Sequence, residues 1–219
     1  MSVVIEAAVE SLDAAHAAAR GGADRLELCA NLDVGGTTPS TELLAAVKSR
    51  VDIPVFAMIR PRGGSFVYTP AERDAMRRDI ASVREHGADG VVLGLLDERT
   101  CVDVRAMRDV LGDAGDLPVT FHRAFDEIAD RLSALDTLVE LDIDRVLTSG
   151  GAPTALAGAE SIRDLAEHAG DAIRIMAGGG VRGHNAADLV RRTGVRELHA
   201  RCELDPSRIS EMRQALESV

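Results

Sequence analysis

Several short apolar runs of this chain contain or end in residues that can move protons. Glu6 and Glu27 lie in the first two runs, Arg60 ends the third, and His122 and His199 belong to the fifth and eighth. Histidine acts as a general acid or base near neutral pH, with a carboxylate in the opposite role. We therefore predict acid–base catalysis by His122 with Glu6 or Glu27. The alternatives are a structural network of ion pairs and, for His122, a hydrogen-bonded core histidine.

A second group of residues is suited to binding a small anion. Arg60 and Arg62 bracket a proline and precede two glycines, and arginine binds carboxylate or phosphate through paired hydrogen bonds. Alternatively, this arginine pair closes on Glu6 or Glu27. Glycine-rich segments can also present N–H groups to an oxyanion, or simply form tight turns. The predicted anion-binding residues are Arg60, Arg62, Arg123, Asp126, Ser149, Gly150, Gly178, Gly179, Gly180 and His199.

Eight apolar runs alternate with helix-like stretches and must position these residues. The runs begin near Val3, Asp24, Pro54, Gly90, Pro118, Asp144, Ala172 and Val195. Such alternation predicts βαβ units and, with eight of them, an α/β fold of the TIM (β/α)8 barrel type, as a single domain over residues 1–219. Active sites of that fold lie at the carboxyl ends of the strands. The clearest helix start is Thr69-Pro70, followed by Glu72, which predicts a helix ending near His86.

The two-residue period of a strand predicts which side chains point into the barrel. In each run the more uniformly apolar set should face the helices, which leaves the other set inside. The fourth and sixth runs are too uniform to assign. Predicted inward residues are Val4, Glu6, Ala8, Arg25, Glu27, Cys29, Phe56, Met58, Arg60, Thr120, His122, Arg174, Met176, Gly178, Glu197 and His199.

Metal binding is the other chemistry that this inward set allows. A soft ion such as Cu(I) prefers thiolate, thioether and imidazole ligands. The inward set contains Cys29, Met58, Met176 and two histidines, but only one thiol, because Cys202 points away from the barrel by parity. Cys29 is therefore a candidate ligand, with a buried hydrophobic role as the alternative.

Bulk properties exclude several classes of function. The formal charge of −11 disfavours nucleic acids and anionic membranes, since affinity for phosphates comes from Lys and Arg. We find neither a long apolar segment nor a leader, so we expect a cytoplasmic protein that is not in a membrane. Three widely spaced cysteines predict reduced thiols. The expected partners are a small anionic ligand or a metal ion.

The same segments resemble the CutC family of copper homeostasis proteins, in the family's order and over nearly the whole chain. They are residues 21–29, 35–40, 59–64, 118–126, 146–150 and 176–181. The resemblance implies a TIM-type barrel, a cytoplasmic homo-oligomer (a dimer or larger), and copper as the only cofactor that we expect. It makes copper homeostasis the expected function, with a barrel enzyme acting on a small phosphorylated or carboxylated metabolite as the alternative.

The chain departs from the family pattern at two places. Where the family carries a cysteine two residues after the first glutamate, this chain has Ala8, so Cys29 is the one cysteine that carries over. The segment between the eighth strand and the last helix is also short, reaching Pro206 soon after Cys202. If the longer family segment covers the site, we expect a more open pocket here, or one closed by a neighbouring subunit.

Overall fold

The computed structural model describes residues 3–217 and contains a closed barrel of eight parallel strands, which confirms the predicted fold. Each strand pairs with the next along the chain, and β8 pairs with β1. The strands are β1 Val4–Val9, β2 Arg25–Leu28, β3 Val55–Met58, β4 Gly90–Leu93, β5 Val119–Phe121, β6 Arg145–Thr148, β7 Arg174–Gly178 and β8 Glu197–Arg201.

A helix follows each strand and packs on the outside of the barrel. The helices are α1 Leu12–Arg20, α2 Thr41–Lys48, α3 Pro70–Glu85, α4 Val104–Ala114, α5 Arg131–Glu140, α6 Ala159–Ala169, α7 Gly183–Thr193 and α8 Ser207–Leu216. The start of α3 is as predicted, because the Thr69 hydroxyl accepts from the Glu72 N–H and the Glu72 carboxylate accepts from the Thr69 N–H. None of the helices within residues 3–217 is long and apolar enough to cross a membrane.

Strand register confirms the predicted orientation of the side chains. Leu26 and Leu28 pack in the outer core against the helices, whereas Cys29, Phe56, Met58 and the previously unassigned Val92 form a separate cluster inside the barrel. The outer core also contains Cys202, as the parity argument predicts. The two-residue period therefore places the chemistry-bearing residues of seven segments within the barrel interior or at its carboxyl end, including those of the unassigned sixth strand.

The amino end of the interior is filled by ion pairs. Glu197 Oε2 accepts from Arg25 Nη2 at 2.6 Å and from Arg145 Nε at 2.5 Å, and Arg25 Nε donates to Glu6 Oε2 at 2.5 Å. Both guanidiniums lie over the ring of Phe56, 5.1 and 5.5 Å from its centroid. Arg25, Arg145 and Glu197 thus form a network of paired charges at this end of the barrel.

A cavity of about 870 Å³ opens below this network, at the amino ends of the last three strands. The loops that precede β6, β7 and β8 form its walls, and Arg174 and Glu197 lie among its lining residues. Arg174 Nε is 3.7 Å from Glu197 Oε1, but its side chain is 64% exposed. The cavity is thus on the opposite side of the ion-pair layer from the strand ends where the site is predicted.

Candidate functional site

Three buried side chains and the partly buried His199 form a continuous chain of polar contacts above the ion-pair layer. His199 Nδ1 lies 2.8 Å from Glu6 Oε1, and His199 Nε2 lies 3.7 Å from Glu27 Oε2. The Cys29 thiol donates to the same Glu27 oxygen at 3.5 Å. Ligand atoms of Glu6, Glu27 and His199 all lie within 4.8 Å of one another. Residues from β1, β8 and β2, with Cys29 just after β2, are therefore brought together as predicted.

Glu27 lacks a guanidinium partner, so this part of the cluster is short of positive charge. The buried carboxylates of Glu6 and Glu197 bind the guanidiniums of Arg25 and Arg145, whereas the third buried guanidinium, that of Arg60, binds loop carbonyls. Glu27 has no guanidinium within ion-pair distance, and its Oε1 atom has no hydrogen-bond partner. A proton on His199 or a bound metal ion can supply the positive charge opposite Glu27.

The pKa values of the cluster reflect that shortage. Burial opposes the charged form of Glu6, but its hydrogen bond to His199 and the nearby Arg25 outweigh this and lower the Glu6 pKa to about 2. Burial, with Glu6 adding repulsion, raises the pKa of Glu27. Burial also disfavours the imidazolium of His199, yet Glu27 and Glu6 outweigh that effect and raise the His199 pKa. The cluster therefore attracts positive charge to the side of His199 that faces Glu27.

Cys29 is a buried thiol in a soft environment. Burial and the negative charge of Glu27 raise the Cys29 pKa well above its usual value, so the side chain is protonated in the absence of a metal. Cys29 Sγ and the Met58 methyl group both lie beside Gly36. If Gly36 carried a Cβ atom, that atom would be 3.1 Å from Cys29 Sγ and 3.5 Å from the Met58 methyl carbon. Gly36, with a φ of 85°, allows this close approach. The other inward thioether, Met176, instead accepts from Arg25 Nη2 at 3.4 Å.

His122 lies apart from that cluster, under the segment that joins β3 to α3. The centroid of its ring is 4.8 Å from the centroid of the Phe66 ring. The Arg60 guanidinium also lies 4.8 Å from the centroid of Phe66. Burial, and secondly the Arg60 charge, lower the His122 pKa to about 3. His122 is therefore neutral near pH 7, and its pKa is far from the value that suits a general acid or base there.

The predicted arginine pair has partners other than Glu6 and Glu27. Arg60 Nη1 and Nη2 donate to the carbonyl oxygens of residues 34, 36 and 64, at 3.0–3.1 Å. Arg62 Nε donates to Glu72 at 2.6 Å, and its other nitrogens bind carbonyls of the same loop. Most donors of the pair thus stabilise the β3–α3 segment.

The glycine loop after β6 already binds an anion, the carboxylate of Asp126. The N–H groups of Ser149 and Gly151 donate to it at 3.0 Å, as does the Ser149 hydroxyl. Gly150 N–H donates to Thr148 Oγ1, and Arg123 bridges Asp126 and Ser149. Asp126 thus occupies the donors that were predicted to hold a ligand.

The glycines after β7 are required for packing and for a turn. A Cβ on Gly178 would lie 2.5 Å from Leu147 Cδ1 and 3.2 Å from His199 Cβ, so only glycine lets β7 approach these neighbours. Gly179 and Gly180 have φ values of 109° and 74°, which favour glycine. These contacts match the tight-turn alternative, and they place Gly178 against a residue of the cluster.

Sequence reasoning missed three residues that complete the site and its support. Tyr68 is 7% exposed, and its hydroxyl has no hydrogen-bond partner. Phe66 contacts both His122 and Arg60. Both belong to a loop without periodicity, where only their aromatic character distinguishes them. Arg145 was missed because the sixth run is too uniform to assign, although an arginine that opens an apolar strand was a usable signal.

Comparison with known sequences gives consistent matches over most of the chain. The profile described as the CutC family matches residues 3–203. The human copper homeostasis protein cutC homolog is 44% identical over 216 residues, which cover 99% of this chain and 78% of that protein. A family protein CutC of Xanthomonas campestris pv. campestris (strain 8004) is 48% identical, over 90% of this chain and 82% of the relative.

Solved structures agree with these matches. The putative copper homeostasis protein CutC from Streptococcus agalactiae superposes with a TM-score of 0.88 at 35% identity, covering 94% of this chain and 99% of that one. A phosphoribosyl anthranilate isomerase from Thermococcus kodakaraensis has a TM-score of 0.65 at 15% identity, with complete coverage of both chains. The second likeness is one of fold alone.

Proposed function

Because this chain belongs to the CutC family, we propose that it acts in copper homeostasis by binding a copper ion at Cys29, Glu27 and His199. The observation that carries the proposal is the run of contacts from the Cys29 thiol through Glu27 to His199 Nε2, at 3.5 and 3.7 Å. It joins a sulfur, an oxygen and a nitrogen donor in a buried interior, beside a carboxylate that has no guanidinium partner. A bound cation would lie next to that carboxylate.

The donor types suit copper in its reduced state. Thiolate, thioether and imidazole are the ligands that Cu(I) prefers, and Cys29, Met58 and His199 offer one of each. Cys29 has to release its proton when a metal binds, because the thiolate is the ligand form. That proton would leave the site, so that the Glu27 carboxylate, which accepts the thiol hydrogen bond in the metal-free protein, stays charged and can bind the metal.

Glu6 acts in this proposal as a positioning residue for His199. Its Oε1 lies 2.8 Å from His199 Nδ1, so the Nδ1 proton is held by a carboxylate and Nε2 faces Glu27. A carboxylate behind a metal-binding histidine fixes the tautomer and the ring orientation. Arg25, bonded to the other Glu6 oxygen, holds that carboxylate in turn.

The alternative function, acid–base catalysis on a small anionic metabolite, has weaker support. Arg62, Ser149 and Gly150 donate to groups of the chain itself, and His122 is neutral with a strongly lowered pKa. The proposed catalytic pairing of His122 with Glu6 or Glu27 also lacks a contact in the structure. Copper binding makes fuller use of the residues that the barrel brings together.

Reduced thiols and the family relationship support two further parts of the proposal. We propose a cytoplasmic location because the three described cysteines are all free, and Cys29 and Cys202 are buried. We also propose a homo-oligomer, as the resemblance implies. Size-exclusion chromatography with light scattering would test the second part.

The decisive experiment is an anaerobic Cu(I) titration against a competing chromophoric chelator. We expect one tightly bound ion per chain in the wild type, and an affinity at least about a hundredfold lower in Cys29→Ser, which loses a direct ligand. Cys202→Ser is the matched control, because that buried thiol lies outside the barrel. Equal binding by wild type and Cys29→Ser would refute the site.

A gain-of-function variant sharpens the same test. Ala8 is buried, points inward and pairs in register with Glu27, one strand away from Cys29. Ala8→Cys adds a second thiolate donor beside the first, so we expect Cu(I) affinity to rise about tenfold or more. Unchanged affinity, with the added thiol shown to be reduced, would place the metal elsewhere.

A further inference from the structure

Apart from Arg201 Nε, which has the Glu203 carboxylate at 3.9 Å, three described buried hydrogen-bond donors at the carboxyl end of the barrel have no acceptor. They are Arg60 Nε, Tyr68 Oη and His122 Nε2, on residues that are 5%, 7% and 4% exposed. His122 Nδ1 accepts from the Ala124 N–H, so the ring proton is on Nε2 and this atom is a donor. A buried donor without a partner costs about 1–3 kcal/mol, which makes three in one region an informative departure.

The three donors surround Phe66 and Arg60. The Arg60 guanidinium and the His122 ring each lie 4.8 Å from the centroid of the Phe66 ring. Arg60 also lies close enough to Tyr68 to act on its pKa, partly offsetting the increase that burial causes. The same arginine acts on the pKa of His122. Arg60 is therefore the common neighbour of both other donors.

We propose that these donors form a binding site for one carboxylate group of a small organic molecule, distinct from the copper site. The site offers one fixed positive charge, from Arg60, and two neutral donors, from Tyr68 and His122. A single positive charge matches a monovalent, planar anion better than a phosphate dianion. The arginine, hydroxyl and imidazole N–H groups can all donate hydrogen bonds to carboxylate oxygens.

The β3–α3 segment covers this site, and Phe66 occupies its centre. The segment is attached by the Phe66 carbonyl, which accepts from Leu96 N–H at 3.0 Å, and by Arg62, which binds Glu72 and two loop carbonyls. Ligand entry requires the Phe66 ring to leave while the Arg62 anchor stays. When the Phe66 ring moves away from His122 and Arg60, the carboxylate and its substituent take its place.

The experiment is a titration of the metal-free protein with acetate, followed through the amide NMR signals of residues 65–67. Acetamide, which has nearly the same shape and no charge, is the control probe. We expect saturable shifts with acetate and none with acetamide. Tyr68→Phe, which removes a hydroxyl that makes no hydrogen bond in the structure, should weaken acetate binding about three- to tenfold. Phe66→Ala should tighten it, because no ring has to be displaced.

The outcomes distinguish this site from the copper site. Cys29→Ser should bind acetate as the wild type does, so a failed copper titration leaves this result unaffected. Equal responses to acetate and acetamide, or identical acetate affinity in wild type and Tyr68→Phe, would overturn the carboxylate site. Thermal unfolding of each variant confirms that it is folded before its affinity is compared.

Discussion

The two ends of the barrel interior both contain buried charges, but they use them differently. At the amino end Arg25, Arg145 and Glu197 bind one another at 2.5–2.6 Å, and no described side-chain nitrogen or oxygen of these residues is a buried atom without a partner. At the carboxyl end Glu27 Oε1 and His122 Nε2 are unpartnered. The amino end is thus a completed structural network, whereas the carboxyl end retains unused binding capacity.

A cavity of about 870 Å³ does not coincide with the candidate site. It opens at the amino end beside Glu197. Glu6, Glu27 and His199 are not among the lining residues of that cavity. In this barrel, unmet hydrogen bonds and uncompensated charge identify the candidate site better than volume does.

The largest expected effect is the loss of stability when the amino-end network is broken. Glu197→Gln leaves the buried Arg145 guanidinium without a carboxylate and Arg25 with Glu6 alone, and we expect the free energy of unfolding to fall by about 3–5 kcal/mol in urea titrations. Arg174→Ala is the control, because that exposed arginine lies 3.7 Å from Glu197 and should contribute less than about 1 kcal/mol. Equal losses in both variants would remove the distinction between the ends.

The same substitution at the carboxyl end should behave differently. Glu27→Gln removes a buried negative charge that has no guanidinium partner, so we expect the free energy of unfolding to stay within about 1 kcal/mol of wild type, or to rise by that much. Cu(I) affinity should nevertheless fall at least about tenfold. A loss of stability as large as that of Glu197→Gln would show that Glu27 is structural.

The smallest effect concerns the exposed anchor of the segment that covers the carboxyl end. The hydrogen bond from Arg62, with that from the Thr69 N–H, lowers the pKa of Glu72 from 4.5 to about 2. A lowered folded-state pKa contributes stability that is present above pH 4.5 and lost as the pH falls towards 2. In Glu72→Gln, the midpoint temperature of thermal unfolding should fall less between pH 5 and pH 2.5 than it does in the wild type. An unchanged profile would exclude this anchor as a source of acid sensitivity.

Much of the fold and part of the site could be predicted because strands have a two-residue period. That period alone placed Glu6, Glu27, Cys29 and His199 on the inside, and register then brings them together. The eightfold alternation of strands and helices was likewise visible in the sequence. These features depend on local pattern and on a closed topology, which the sequence specifies strongly.

What the sequence could not give is the partner of each polar group. Asp126 and Ser149 were both predicted to contact a ligand, but they bind each other, and residue type does not show whether an acceptor is internal. The β3–α3 loop has no periodicity, so nothing predicted that Phe66 would lie against His122. Loop geometry and tertiary hydrogen bonds decided both cases.

The closure of the barrel has a consequence for synthesis of the chain. Glu6 meets Arg25 after 19 residues, but its other partner, His199, follows 193 residues later. During synthesis on the ribosome, β1 therefore cannot pair with β8 until the final strand is made. Until then the Glu6 carboxylate lacks its hydrogen bond to His199. Long-range closure of this kind slows folding, so nascent chains stalled before residue 197 should be the protein's most aggregation-prone form.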